Sequence, residues 1–441
     1  MEPLARVELS SLAPAEVLRL LPLVGLEPVS RVRNDASSSS VSRDSRPVAI
    51  RVIFSGHARS DLSPIDAGDA PATIAVAFDS NPTAETGSNI DFVTGSAIAA
   101  VSFILSRTLG LASPFLTADG ALFEVICAAT TLARQPARIL VEGELGVGKK
   151  SLIKLIYAAG CDPLGSRAGR EPPDHQASGL LHAECAGLSA NAVESEIAPL
   201  LAQAAEFNRS DTSNRGAVFF NRLGELSPRA QLKLLDLLRS VTGAAPGTPN
   251  RHRNIRILAA STRPLGAMVA DGDLLPELHQ LFDATLRISP LCSRRGDVPL
   301  LSRHYLRGLN SPRTFNAAAL RALAVYPFPG NTLELINFVT RLAIIPPKAA
   351  VQRTPLGEST DSVVGRSEVI SQLDCGNRPL RRTHRQRACR IIRTPRSIGA
   401  PLAETPNPPA PPSIALPASL RLTTSIVPRK TKPRGGHRPT G

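Results

Sequence analysis

Gly143-Glu144-Leu145-Gly146-Val147-Gly148-Lys149 sets three glycines and a lysine at the spacing that a phosphate-binding loop uses. Glycines let the backbone turn its N–H groups onto an anion, and a helix beginning at the lysine adds the positive end of its dipole. Lys149 then reaches the β- and γ-phosphates of a nucleotide, so Gly143, Glu144, Gly146, Gly148 and Lys149 are the candidate cofactor-binding residues. Lys150 and Ser151 complete that set at the helix start. Such loops ordinarily place a Ser or Thr directly after the lysine, where its hydroxyl meets Mg²⁺. Here that position is Lys150, and Ser151 lies one residue too far on. The expected cofactor is ATP, with Mg²⁺ held weakly or not at all.

The loop needs a strand before it and a helix after it. Residues 137–141 read as a buried strand and residues 151–159 as the following helix. Around them, residues 122–132 and 231–238 carry apolar residues at helical spacing, while 216–220 and 255–260 read as further buried strands. Strands alternating with helices imply an α/β domain built on a parallel sheet. Before it, residues 49–54 and 72–78 are short β-branched runs that read as buried strands, separated by loop-like stretches at 37–40 and 61–71. Residues 1–110 are therefore expected to form a small, weak α/β domain. After about residue 351 apolar periodicity stops; residues 378–396 are dense in Arg and 405–417 in Pro, so 351–441 reads as a disordered basic tail.

The composition agrees with a globular centre and polar flanks: of 441 residues, 42% are hydrophobic, only 4% aromatic, with 39 Pro and no Trp. A net charge of +14 favours a polyanionic partner such as nucleic acid. The apolar run at 97–105 is too short to span a bilayer, and the first residues carry no basic stretch of a secretory signal. Six cysteines occur without a C-x-x-C pair or a His cluster, so neither a metal site nor a disulfide framework is expected and a cytoplasmic location fits best.

Beyond the loop, ordered segments resemble the AAA+ ATPase domain of the bacterial enhancer-binding proteins that activate sigma-54 RNA polymerase. Gly143 to Lys149 matches their G-E-x-G-x-G-K. His182-Ala183-Glu184-Cys185-Ala186-Gly187-Leu188 resembles their N-C-A-A-L segment, and Glu194-Ser195-Glu196 their E-S-E. Gly224-Glu225-Leu226-Ser227-Pro228 with Gln231-Leu232-Lys233-Leu234-Leu235 resembles G-E-L-P…Q-x-K-L-L. Pro290-Leu291…Arg294-Arg295-Gly296-Asp297-Val298-Pro299-Leu300-Leu301 resembles P-L-R-E-R-R-E-D-I-P-L-L, and Tyr326 to Leu335 resembles Y-x-W-P-G-N-V-R-E-L. The resemblance implies a P-loop NTPase core at 113–290 and a small helical lid at 291–347. It also raises a receiver-like domain for 1–110, though no acidic cluster there would hold the Mg²⁺ of a phosphorylation site.

The same resemblance shows where the motor chemistry is missing. Hydrolysis on this fold uses an Asp for Mg²⁺ and a Glu for the attacking water at the end of the Walker B strand. Here those positions are Asn221 and Arg222, the latter permanently charged and unable to act as a base. The family's arginine fingers fall on Leu275 and Leu281, its sensor Arg on Leu333 and its sensor Asn on Thr262. The G-A-F-T-G-A polymerase loop has no counterpart after Glu196. No catalytic residue is therefore assigned, and the expected role is a nucleotide-binding, hydrolysis-deficient transcription regulator. Its expected partners are a paralogous activator or a second copy of itself, with DNA reached through the basic tail; a faint G-N-x-T trace at Gly376-Asn377-Arg378 is all that resembles the family's DNA-reading unit. An ATPase with unusual residues, or a product scrambled by a shifted reading frame near residue 376, are the alternatives.

Overall fold

The computed structural model describes residues 4–9, 13–30, 50–55, 72–78, 92–161, 179–210, 216–242, 255–309, 311, 313–344 and 363–376. The expected loops at 37–40 and 61–71, and the Arg- and Pro-rich stretches after 376, lie outside them.

The first sheet is made of β1 (Ala5–Leu9), β2 (Leu26–Ser30), β3 (Ile50–Ser55), β4 (Ala72–Phe78) and β5 (Phe92–Thr94), in the order β2-β1-β3-β4-β5. Every pairing is parallel, which is the doubly wound 2-1-3-4-5 order. The expected strands at 49–54 and 72–78 are β3 and β4; β1, β2 and β5 are additions. Helix α1 (Ala15–Leu20) crosses from β1 to β2, and α2 (Ala97–Thr108) follows β5 with Ser96 capping its first turn. Val7, Val17, Leu21, Val24, Leu26, Val52 and Val76 are buried, so this small domain has a core of its own. The apolar run that begins at Ala97 is buried almost all round in α2, with Ala99, Val101, Phe103, Ile104 and Leu105 inside. Among the described residues no helix is long and apolar enough to cross a membrane.

The second sheet holds β6 (Ile139–Glu142), β7 (Leu180–Glu184), β8 (Ala217–Asn221), β9 (Arg256–Ser261) and β10 (Ala284–Arg287), all parallel, in the order β10-β6-β9-β8-β7. Central strands of such a sheet are covered on both faces, and β6, β8 and β9 are buried at every position. The helices are α3 (Gly120–Ala133), α4 (Lys149–Gly160), α5 (Ala190–Ala192), α6 (Ala198–Ser210), α7 (Pro228–Thr242), α8 (Leu265–Ala270) and α9 (Pro276–His279). A π turn at Val193–Ile197 joins α5 to α6, so the chain after Glu194 continues as helix.

The lid comprises α10 (Asp297–Gly308), α11 (Ala317–Val325) and α12 (Asn331–Ile344). It does not stop there. Residues 363–376, read from sequence as part of the tail, form β12 (Val363–Val364), paired with β11 (Thr314–Phe315), and α13 (Arg366–Gly376). Arg313 is the reason: its guanidinium donates to Leu342 O at the end of α12 (2.6 Å) and to both Glu368 carboxylate oxygens (2.7 Å). A contact between residues 55 apart in sequence leaves no local periodicity to read.

The small domain meets the lid through aromatic rings. Phe92 and Phe103 stack at 4.4 Å between centroids, and His304 of α10 lies edge-on to both, at 6.0 and 6.3 Å. Burial, with Arg107 and Arg307 nearby, pushes the His304 imidazole down to about 4, so it stays neutral at ordinary pH.

Candidate nucleotide site

The phosphate loop sits where the strand order reverses, at the C-terminal end of β6, the place where open α/β sheets bind ligands. Gly146 (φ 79°) and Gly148 (φ 109°) adopt left-handed backbone that a side chain would resist, and α4 begins directly at Lys149. Among the described residues, no protein acceptor meets the backbone N–H groups of Gly146 to Lys150. These donors form an anion cradle. Lys149 folds back across it, donating from Nζ to the carbonyls of Gly143 and Glu144, both at 2.7 Å. Burial lowers its ammonium to about 8, against the opposing charges of Glu144 and Glu225. Lys150 is exposed, and its charge acts on Glu184 and His182 rather than inside the loop. Ser151 lies inside the first turn of α4.

The lid closes one side of the loop. Gly330 O occupies the place a Gly146 side chain would take. Leu333 N donates to Gly146 O (3.2 Å), and the Asn331 amide bonds the Glu144 carboxylate and Leu145 O, each at 3.0 Å. Asn331 takes a left-handed backbone (φ 57°) to do this. Beneath them Arg294 donates to Val147 O (3.0 Å) and pairs with Asp297 (2.9 Å). Asp297 is fully buried and also accepts from Ala118 N (2.6 Å) and Thr117 Oγ1. The buried charges of Arg294 and Asp297 are therefore matched to one another.

The end of β8 is arranged differently. Asn221 Nδ2 donates to one oxygen of Glu184 (2.7 Å), and Arg222 Nε donates to the other (2.9 Å). Arg222 also reaches Glu225 at 3.5 Å, whose other oxygen accepts from Thr262 Oγ1 at 3.5 Å. Burial by itself would raise the Glu184 carboxyl, but the hydrogen bonds from Asn221 and Arg222 and the charges of Arg222 and Lys150 hold it below the usual range. Glu184 stands where the N-C-A-A-L segment has its Asn, and sequence reasoning passed over it. Its signal was there: a carboxylate where the pattern has an amide, paired with a cation where the pattern has a carboxylate.

Of the remaining positions singled out in the sequence, Leu333 lies against the loop, whereas Leu275 and Leu281 do not. Leu275 and Leu281 are partly buried against the core beneath α7 and α8, and Leu275 N donates to Gln231 Oε1 (2.9 Å). Leu333 is half exposed beside Gly146.

Residues 115–286 match the sigma-54 interaction domain, and residues 293–366 match the AAA+ ATPase lid domain. Residues 115–286 thus carry a region like the sigma-54 interaction domain, followed by one like the AAA+ lid. The "Nif-specific regulatory protein" of Bradyrhizobium diazoefficiens is 28% identical over 312 residues, covering 67% of this chain and 49% of its own length. The "Alginate biosynthesis transcriptional regulatory protein AlgB" of Pseudomonas aeruginosa is 31% identical over 54% of this chain and 53% of its own. The Nif-specific regulatory protein of Rhizobium leguminosarum bv. trifolii is 30% identical over 52% and 64%. The chain thus spans about half the length of the curated relatives it matches.

A sigma-54 interaction domain implies a nucleotide, and the unpaired N–H groups with Lys149 across them fit its phosphates. Mg²⁺ fits less well. A Mg²⁺ site asks for one or two carboxylates free to face the metal. At the end of β8, Asn221 brings no charge, and both oxygens of Glu184 already accept hydrogen bonds, one from a guanidinium.

Proposed function

We propose that this chain is a transcription regulator of the sigma-54 enhancer-binding class which binds ATP and does not turn it over. The observation that carries the reading is the end of β8, where Asn221 and Arg222 are tied to Glu184 beside an otherwise well-formed phosphate loop. A general base must accept a proton, and a guanidinium cannot. Leucines packed against the core at 275 and 281 offer no charge to a neighbouring subunit's phosphates, where arginine fingers are worth roughly 10³–10⁵ in rate. The helical run through α5, the π turn and α6 leaves no exposed loop between Glu194 and Ser210 of the kind that contacts polymerase.

The chain would then act as a decoy, antagonist or structural partner of an active homologue, joining it or a second copy through the AAA+ surfaces. The excess of Lys and Arg, 51 against 37 Asp and Glu, favours DNA phosphate as a further contact. The test is a pair of measurements on the full chain: ATP binding at equilibrium, and phosphate release together with open-complex formation at a sigma-54 promoter. Binding without turnover and without open complexes is the expected result. Steady phosphate release that disappears in Lys149→Ala would overturn the reading.

A further inference from the structure

We propose that Arg222 is the counter-cation of a metal-independent nucleotide site, and that Glu184 sets its affinity by competing with phosphate for that guanidinium. The inference rests on the reading of the loop as a nucleotide site and names the ligand form it takes: a nucleoside polyphosphate free of Mg²⁺.

Placement comes first. β8 lies two strands from β6 in the same parallel sheet, so its C-terminal end opens on the same rim as the phosphate loop. The electrostatics agree. Lys150, at the loop, acts on Glu184; Glu225, which touches Arg222 at 3.5 Å, acts on Lys149. Arg222, Glu184 and Glu225 are each a little over a third exposed, so a solute can reach all three.

Charge comes second. Arg222 and the two carboxylates it touches form a cluster with one positive and two negative groups, and Lys149 and Lys150 lie on its loop side. A Mg²⁺ ion entering here meets a guanidinium already bound to the carboxylate it would need. A guanidinium offers planar, paired N–H donors to phosphate oxygens, which is the geometry that phosphates bind best. The fixed charge of Arg222 can therefore do at the phosphates what a metal ion does elsewhere, once it leaves Glu184.

Conformation comes third. Arg222 is a non-glycine residue in left-handed backbone (φ 55°, ψ 42°), a strained arrangement unless its surroundings hold it. Here Glu184 and Glu225 hold its side chain from two sides. Asn221 in turn fixes Glu184 at 2.7 Å, so the carboxylate is set as a docking post and the arginine is the movable member.

The experiment titrates ATP into the full chain, once in EDTA and once in excess MgCl₂, for four proteins: unaltered, Glu184→Gln, Arg222→Gln and the double variant. The unaltered chain should bind ATP in EDTA at least as tightly as with Mg²⁺. Glu184→Gln keeps side-chain size while releasing Arg222, and should tighten binding in EDTA by about tenfold. Arg222→Gln should weaken it by about tenfold, and the double variant should show no gain from the Glu184 change, because the two residues then share one coupling. A purely structural role for Glu184 would lower the melting temperature without tightening anything. Binding that is more than about tenfold tighter with Mg²⁺, or a Glu184→Gln protein that is folded but binds no better, overturns the inference. If folded protein of every variant ignores ATP in both buffers, the nucleotide reading itself fails with it.

Discussion

The ends of β6 and β8 lie on one rim of one sheet, and they differ in kind. At β6 the backbone does the work: left-handed glycines, unpaired N–H groups, and a lysine folded across them, all braced by the lid through Arg294, Asp297 and Asn331. At β8 the work falls to side chains, and the charges stand the other way round, with a cation just past β8 and the carboxylate at the end of β7. The buried scaffold is common to both ends; Val218, Phe219 and Phe220 are as thoroughly enclosed as Leu140 and Val141. A fold can thus keep its phosphate cradle while the chemistry beside it changes, because packing and charge are set by different atoms of the same strand.

The strongest way to break the β6 end is to remove its brace. Arg294→Ala leaves the Asp297 carboxylate buried with no cation, and breaking such a pair costs about 3–5 kcal/mol. Denaturant unfolding of the full chain should show this loss, together with loss of ATP binding. A change below about 1 kcal/mol would mean the junction is not what holds the loop.

Lys149→Ala acts on the loop alone. It should weaken ATP binding by about 100-fold or more, by removal of a charge-assisted hydrogen bond, while the melting temperature stays within a few degrees. Equal affinity in that variant would leave the cradle without a ligand.

The lowered Lys149 ammonium gives the loop a pH signature of two signs. Below about 8 the lysine is charged and binds phosphate; above it, ATP affinity should fall by up to about tenfold per pH unit. Stability moves the other way. An unfolded lysine holds its proton to about 10.4, so between pH 8 and 10 the unfolded chain binds more protons and this group's contribution to stability rises with pH. Titrations and melts from pH 7 to 9.5 would separate the two, and a flat affinity profile would place Lys149 away from the phosphates.

The β8 end yields the smallest effect and the most specific one. The double change Asn221→Asp with Arg222→Glu sets two new carboxylates beside Glu184, and mutual repulsion then favours a divalent cation. ATP binding should become about tenfold tighter with Mg²⁺ than with EDTA. Phosphate release should stay slow, since Leu275 and Leu281 remain packed against the core. No gain in Mg²⁺ dependence would show that β8 does not bear the metal positions.

These two ends also mark what the sequence disclosed. β6, β8 and β9 were legible because strands covered on both faces must be apolar throughout. β7 was missed because an edge strand alternates, with His182 exposed between Leu181 and Ala183. β2 was missed for a related reason: it is an edge strand and carries Pro28, which breaks any strand pattern read locally. The phosphate loop was readable because all its parts lie within seven consecutive residues. The Asn221–Glu184 and Asn331–Glu144 contacts join residues 37 and 187 apart, and only the folded sheet and lid bring them together. The family pattern said which charges were absent from the end of β8. It marked Glu184 as an acid where the pattern has an amide, but only the fold sets that acid against Asn221 and Arg222.

Helix α10 has one end in each of two neighbourhoods. Asp297 anchors its first turn under the phosphate loop, and His304, seven residues and about 10 Å further along, rests its ring on the Phe92–Phe103 stack. A helix is stiff along its axis, since each turn is closed by hydrogen bonds to the next. α10 is therefore a strut, unable to shorten, between the cradle and the small domain. One stiff element therefore touches both the stacked rings of the small domain and the turn beneath the phosphate loop.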